Sequence, residues 1–278
     1  HEDSNGQLWI GTLGGLTRYK GGKFTIYTTS DGLSDDAVLA IQSTPDGALW
    51  IGTRNGGLNL FKDGKFTAYT TEQGLSDNNV RAIYRDREGA LWIGTRRGGL
   101  NRLKDGRLTS YTTREGLADD CVYQILEDEQ NNLWMSCAKG IFRVNRQELN
   151  AFAEGKIEAI HSISYGTEDG MGSRECNGGQ PAGWRSADGR LWFPTMKGVT
   201  VIAPESMKIN RTPPSVVLEQ VIADGTAYDP TQRAELPANT SRIEFQYTGL
   251  SFAAPEKVRF KYKLEGFDKD WIDAGTKR

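Results

Sequence analysis

The sequence predicts an all-β chain: a β-propeller of about five recognisable four-stranded blades, followed by a truncated C-terminal β-sandwich. Three observations predict it. First, the phrase Leu8-Trp9-Ile10-Gly11-Thr12 recurs at 49–53 and 91–95, loosens to Leu133-Trp134-Met135-Ser136-Cys137, and returns as Leu191-Trp192-Phe193-Pro194-Thr195. Second, Trp9, Trp50, Trp92, Trp134 and Trp192 follow one another at steps of 41, 42, 42 and 58, and a period near 42 is the length of one four-stranded blade. Third, the intervals hold short β-type runs and glycine turns, with no long stretch of 3.6 period such as a helical repeat needs.

Taken in order, the elements are these. His1 to Gly6 reads as the end of a strand and its turn, so the innermost strand of the first blade is missing and the chain reads as a segment of something longer. The third unit shows the strand plan. Val80 to Tyr84 alternates and ends at a Glu88-Gly89 turn, and Leu91 to Thr95 follows. An Arg96-Arg97-Gly98-Gly99 turn leads into Leu100 to Leu103, and Asp105-Gly106 leads into Leu108 to Thr113. Such pairs tolerate the positive φ that a hairpin turn demands. Each tryptophan is expected to fill the gap to the next blade. The inner strands are expected to start near Val38, Val80, Val122 and Gln180.

The fourth unit is longer than the others, with an insertion after Arg146. Within it Gln147 to Ala153 has helix formers with apolar residues at 149, 152 and 153, which predicts a short surface helix. The glycine-rich stretch Gly170 to Gly179 matches no phosphate-loop spacing and reads as a long blade-to-blade loop. Ala203-Pro204-Glu205 ends the last blade. The division is 1–212 for the propeller and 213–278 for the sandwich, with Pro213-Pro214 as a stiff linker. Beyond it, 216–218, 243–247 and 258–264 alternate as strands, too few for a complete sandwich. An unfinished sheet leaves an edge that favours pairing with another chain, so a homodimer, or cover of the unfinished edges by another segment or chain, is expected.

Composition narrows the partners. With 34 basic and 36 acidic residues the net charge is −2, so no global field favours nucleic acid or an anionic membrane. No apolar run approaches the roughly 20 residues of a membrane span, and no secretory signal is visible. Cys121, Cys137 and Cys176 read as three free thiols. Cys137 is expected to face about Gln124, too far from Cys121 for a strain-free bridge. With only His1 and His161, zinc or Ser-His-Asp chemistry lacks its ligands and bases.

The repeat supplies an internal comparison: what recurs is scaffold, and what departs is a candidate for function. The fourteenth position before each second-strand leucine holds Asp35, Asp77, Asp119 and Asn177, and the next position holds Asp36, Asn78, Asp120 and Gly178. These precede the inner strands and are expected to rim one mouth of the central channel. The turns on the same face carry Arg54, Arg96, Arg97, Lys139 and Lys197. Asp and Asn before a strand are ordinary turn caps. The functional reading is a polar-ligand site formed by Arg96, Arg97, Asp119, Asp120, Lys139, Arg174, Glu175 and Asn177. Asp35, Asp77, Asp119 and Asn177 are candidate oxygen ligands for Ca²⁺.

Units of the form Asp86-Arg87-Glu88-Gly89-Ala90-Leu91-Trp92-Ile93-Gly94-Thr95 resemble the two-component regulator propeller repeat. The tail from Tyr262-Lys263-Leu264-Glu265-Gly266-Phe267 to Trp271 resembles the opening half of the triple-tyrosine (YYY) sandwich domain. The order resembles the extracytoplasmic sensor of bacterial membrane-bound histidine kinases, hybrid kinases included. That resemblance implies a periplasmic or other extracytoplasmic location, a propeller that senses a small polar ligand, often a glycan fragment, and a sandwich that relays the signal, usually in a dimer. It implies no fixed site residues. Two further readings compete: a Ca²⁺-dependent propeller hydrolase acting on lactones or esters at the Asp/Asn rim, and a protein-interaction platform.

Overall fold

The computed structural model describes residues 1–207, 214–232, 235–251, 258 and 260–275. The chain divides into two compact units, His1–Met207 and Lys208–Arg278. The boundary expected between 212 and 213 falls at residues outside those described, as does Pro213.

The first unit is five antiparallel sheets. Blade 1 holds β1 (Leu8–Thr12), β2 (Gly15–Lys20) and β3 (Lys23–Tyr27). Blade 2 holds β4 (Val38–Ser43), β5 (Leu49–Thr53), β6 (Leu58–Lys62) and β7 (Lys65–Tyr69). Blade 3 holds β8 (Val80–Arg85), β9 (Leu91–Thr95), β10 (Leu100–Lys104) and β11 (Arg107–Tyr111). Blade 4 holds β12 (Gln124–Glu127), β13 (Asn132–Cys137), β14 (Gly140–Asn145), the helix α1 (Arg146–Ala153) and β15 (Ile163–Tyr165). Blade 5 holds β16 (Trp184–Arg185), β17 (Leu191–Thr195) and β18 (Gly198–Ile202). β4 lies beside β8 and β8 beside β12, so the first strands of blades 2 to 4 form the inner wall, while β1, the counterpart of β5, β9 and β13, lies beside β4.

The tryptophans occupy equivalent places in all five sheets. Trp50, Trp92, Trp134 and Trp192 pair across to Gln42, Tyr84, Leu126 and Trp184 of their inner strands. The ends of His1 and Trp9 exchange two backbone hydrogen bonds of 2.7 and 2.9 Å, so His1 stands where those inner-strand residues stand. In three blades an aspartate six positions upstream accepts the indole N–H: Asp3 at 2.8 Å, Asp86 at 2.9 Å and Asp128 at 2.7 Å. The same carboxylates accept backbone N–H groups of the turn between. One side chain thus folds the hairpin turn and anchors the ring, and a buried carboxylate so satisfied escapes the penalty of an unpaired charge. Blade 2 has Thr44 at that place, and Trp50 is less buried than Trp9, Trp92 or Trp134.

The core lies between blades. Its four apolar clusters each join two consecutive sheets. A recurring knob and socket sets the spacing. Gly11, Gly52 and Gly94 each receive the valine that begins the next inner wall, Val38, Val80 and Val122; a Cβ on each glycine would lie 2.7, 2.6 and 2.6 Å from that valine's Cγ1. Between blades 3 and 4 a polar cluster is buried as well. Arg146 Nε lies 2.8 Å from Glu127 Oε1, and its Nη1 lies 2.9 Å from Glu88 and 3.3 Å from Asp86. The Tyr84 hydroxyl donates to Glu127 at 2.6 Å. Burial first, then that carboxylate, pushes the Tyr84 hydroxyl well above its ordinary pKa.

α1 forms where expected, with Leu149 and Ala153 buried and Asn145 capping its first turn. The Tyr111 hydroxyl donates to the Leu149 carbonyl at 2.8 Å, seating the helix on blade 3. Two expectations about strands are corrected. The inner strands of blades 4 and 5 start at Gln124 and Trp184, not at Val122 and Gln180. Val122 remains buried and bonds back to Thr95. In blade 5 the run Gly178-Gly179-Gln180-Pro181 delays the ladder, since proline has no N–H to give it. Gln124 faces Ser136, not Cys137.

The second unit has a sheet of order β20-β19-β21, from β19 (Ser215–Ala223), β20 (Thr226–Tyr228) and β21 (Ile243–Leu250), and a hairpin of β22 (Phe260–Tyr262) and β23 (Ile272–Gly275). Tyr247 of β21 meets Phe260 of β22 edge-on, with ring centroids 4.9 Å apart.

Candidate functional site: the axial channel and its rim

The turn that leads into each inner strand is built alike. A threonine or glycine starts a short turn, 3₁₀ in all but the one at Thr112, and the acid or amide three positions on accepts its N–H: Asp31 from Thr28, Gln73 from Thr70, Glu115 from Thr112 and Asp169 from Gly166, at 2.7 to 2.9 Å. A glycine of positive φ closes each turn, namely Gly32, Gly74, Gly116 and Gly170.

From that fixed point the rim reads off directly. Asp35 Oδ1 accepts from Ala37 N–H and Oδ2 from Asn55 N–H. Asp77 accepts from Asn79 and Arg97 N–H in the same way. Asp119 accepts from Cys121 N–H, and its second oxygen pairs with Lys139 Nζ at 2.8 Å. Asp36, Asn78 and Asp120 accept from Thr29, Thr71 and Thr113 N–H. The aspartates therefore cap and tie together the turns of their own blade.

The blade 5 counterpart of this ring is Ser173, not Asn177. Ser173 Oγ accepts from Glu175 N–H, Met196 N–H bonds to the Glu175 carbonyl, and Cys176 bridges Thr195 as Val80 bridges Thr95. Counting 14 back from Leu191 stops short of Ser173 because Cys176 stands 15 positions before that leucine, against 11 from Val38 to Leu49. Asn177 instead caps Gly179 within this insertion. Arg174 pairs with Glu168 at 2.6 Å, which raises its already high pKa. Arg96 and Arg97 are exposed. Of the sequence-predicted ligand residues, only Lys139 and Asp119 are joined by a side-chain contact among the described residues. The four candidate Ca²⁺ ligands do not converge: Asp35, Asp77 and Asp119 belong to three successive blades, Asn177 to the insertion. Among the described residues no group of three or more His, Cys, Asp or Glu is placed to hold a metal.

What converges instead is the inner wall. It encloses an open cavity of about 810 Å³, lined by β1, β4, β8, β12 and residues 178–181 and 183–185. A smaller hollow of about 460 Å³ lies at the outer edge of β18, beside Tyr165 and Met171. Residues of all five sheets line the cavity, and a concave site of this kind is where small ligands bind.

Its lining departs from the repeat in two ways. The ladder shifts by one residue between Val38 and Ala40, and again between Val80 and Ala82. Such a bulge re-aims a side chain, and the positions it frees hold Leu39 and Arg81; the equivalent Tyr123 of blade 4 packs instead against the core between blades 4 and 5. The second departure is the blade 5 insertion. Gln180 reaches across the channel and donates to the Arg81 carbonyl at 2.8 Å, and Gly178 lies against the Tyr123 ring. Burial first, then its hydrogen bond with Cys121, pushes Tyr123 up to about 12. Burial likewise raises the Cys121 thiol, an effect offset in part by Tyr123 and by the Arg81 and Arg96 charges. Sequence reasoning missed Arg81 and Gln180 on the lining; the signal available was that positions 39, 81 and 123 change chemistry while the valine before each recurs.

A family model described as two component regulator propeller matches residues 32–55, 74–97 and 116–139. The chain carries two-component regulator propeller repeats. Each matched window runs from the turn-closing glycine through the first two strands of blades 2, 3 and 4, so the repeat begins at the channel rim. A search of curated proteins found none that matches. Among solved structures, the extracellular domain of BT3049 from B. thetaiotaomicron, assigned to a hybrid two component system, is 21% identical with a TM-score of 0.72, over 98% of this chain and 38% of that one. The corresponding domain of BT4673 is 21% identical with a TM-score of 0.57, over 99% and 44%. Virginiamycin B lyase from Staphylococcus aureus is 18% identical with a TM-score of 0.53, over 78% and 72%. These likenesses are of fold, and the chain spans less than half the length of the two B. thetaiotaomicron domains.

Proposed function

We propose that this chain is the ligand-sensing segment of an extracytoplasmic two-component sensor, and that it binds a small polar ligand, such as a glycan fragment, in the axial channel. The second unit is then the opening half of a triple-tyrosine sandwich that relays occupancy, working in a dimer. The observation that carries the reading is the contrast within the repeat: two-component regulator repeats build a uniform scaffold, while the non-repeating residues gather on the channel wall. Support for extracytoplasmic placement comes from the extracellular domains whose fold the chain shares. The hydrolase reading draws no support from the rim, whose aspartates are engaged in backbone caps and one lysine pair.

Calorimetric titration of the 278-residue chain with neutral and acidic oligosaccharides tests this. Saturable binding without turnover, weakened by a bulky Gly179→Trp substitution in the channel loop, is the expected outcome. Binding that is indifferent to that substitution removes the channel from the proposal. Release of hydrolysis products favours the enzyme reading.

A further inference from the structure

The channel wall is charged in one sense only. Among the described residues no Asp or Glu lines it, while Arg81 and Arg185 do. The two arginines are not equivalent. Arg185 is committed to an ion pair with Glu129. Arg81 spends its Nε on Asn79 Oδ1 at 2.8 Å, and its two terminal nitrogens make no hydrogen bond or ion pair among the described residues. A half-buried guanidinium with both terminal nitrogens open presents the flat, two-pronged donor set that matches the two oxygens of a carboxylate. Gln42 and Gln180 use their amide N–H groups on the Ser43 and Arg81 carbonyls, which leaves their Oε1 atoms as acceptors for ligand hydroxyls. Trp184 is 68% exposed on the same wall, a ring face available for stacking.

Resting on the channel reading above, we propose that the ligand carries a carboxylate, and that Arg81 is the group that holds it. The placement explains why Arg81 sits at a ladder bulge and why the blade 5 insertion reaches its carbonyl: both fix the arginine's backbone before the ligand arrives. One arginine facing no acid across the cavity favours a singly charged anion and disfavours a cation.

The test compares galacturonate oligomers of one to three units with the matching galactose oligomers, which differ only in the carboxylates, by calorimetry on the full chain. The acids are expected to bind at least tenfold more tightly than their neutral partners. Arg81→Gln is expected to abolish that difference, and Arg81→Lys to retain part of it, since it keeps the charge and loses the two-pronged geometry. Thermal melts within a few degrees of wild type verify that both variants fold. Neutral oligomers binding as well as the acids overturns the carboxylate proposal and leaves the channel reading standing. Acid binding unchanged in Arg81→Gln also overturns it. Absence of saturable binding by every oligomer, acidic or neutral, up to about 50 mM, a ceiling near 2 kcal/mol of binding energy, overturns both.

Discussion

The knob and socket between blades can be tested with two methyl-scale substitutions. Gly94 has no Cβ, and Val122 fills the space: a Cβ there would lie 2.6 Å from Val122 Cγ1, 3.0 Å from its Cβ and 3.0 Å from its carbonyl. Val122 is fully buried. Gly94→Ala forces an overlap in a packed interface, which costs about 1–3 kcal/mol. Alanine recovers about 0.5–1 kcal/mol of the backbone entropy that glycine loses in a strand, leaving a net loss of about 1–2 kcal/mol. Val122→Ala alone removes two methyls from the core and costs about 1–3 kcal/mol. In the double variant the new methyl occupies the space that Val122 Cγ1 vacates, while the contacts to the Val122 carbonyl and Cβ stay tight. Independent effects would sum to about 2–5 kcal/mol, and relief of the overlap should bring the double variant about 1–2 kcal/mol below that sum. Urea unfolding of the four proteins measures the cycle. Additivity within about 0.5 kcal/mol would refute the claim that this glycine exists to receive this valine.

Other outcomes follow from the same geometry. Arg146→Met leaves Asp86 and Glu127 buried without their cation and should cost about 3–5 kcal/mol in a urea melt; a loss under about 1 kcal/mol would mean the cluster is not coupled to folding. Burial works to raise the Glu115 carboxyl, but hydrogen bonds from Thr112 outweigh it and hold it below its ordinary value. Its stabilisation is therefore full above the ordinary carboxylate pKa and fades as pH falls through the lowered one. Glu115→Gln, which copies Gln73 of blade 2, should destabilise by no more than about 1 kcal/mol at pH 6 and by less at pH 3, and a deficit that grows on acidification would reverse the sign of this argument. Burial pushes Cys137 up to about 12 and Cys176 up to about 11. An aromatic disulfide reagent at pH 8 should reach Cys121 alone in the native protein and all three thiols only in urea. Addition of millimolar Ca²⁺ should leave the melting temperature within about 1 °C, because the rim aspartates serve as caps; an upward shift of about 4 °C, near 1 kcal/mol or more, would show a cation site the rim geometry does not suggest.

The local pattern of the sequence settles the scaffold, because its causes are local. A hairpin turn depends on residues that accept positive φ, a strand face on alternation, and a blade on the distance between tryptophans. Trp92, Trp134 and the Asp-to-glycine turns are legible for that reason. The threonine turns are only half legible: Tyr165-Gly166-Thr167-Glu168-Asp169-Gly170 repeats the outer-strand ending and its turn, but Gly166 hides it by replacing the threonine. Counting backward from Leu191 then fails at Asn177, since an insertion inside one strand shifts the register without leaving a mark in the phrases themselves.

What the tertiary structure decided was everything that depends on which residues meet across turns and blades. The aspartate ring is visible in the sequence, but its use is set by N–H groups on a different turn, Asn55 for Asp35 and Arg97 for Asp77, which turn candidate metal ligands into caps. Arg146 reads as ordinary beside the helix it begins until Asp86, Glu88 and Glu127 close around it from two blades. Arg81 and Gln180 stand 99 positions apart and touch. A repeat fixes distances along the chain; the axis around which its copies turn exists only once they have packed, and the channel wall is defined by that axis.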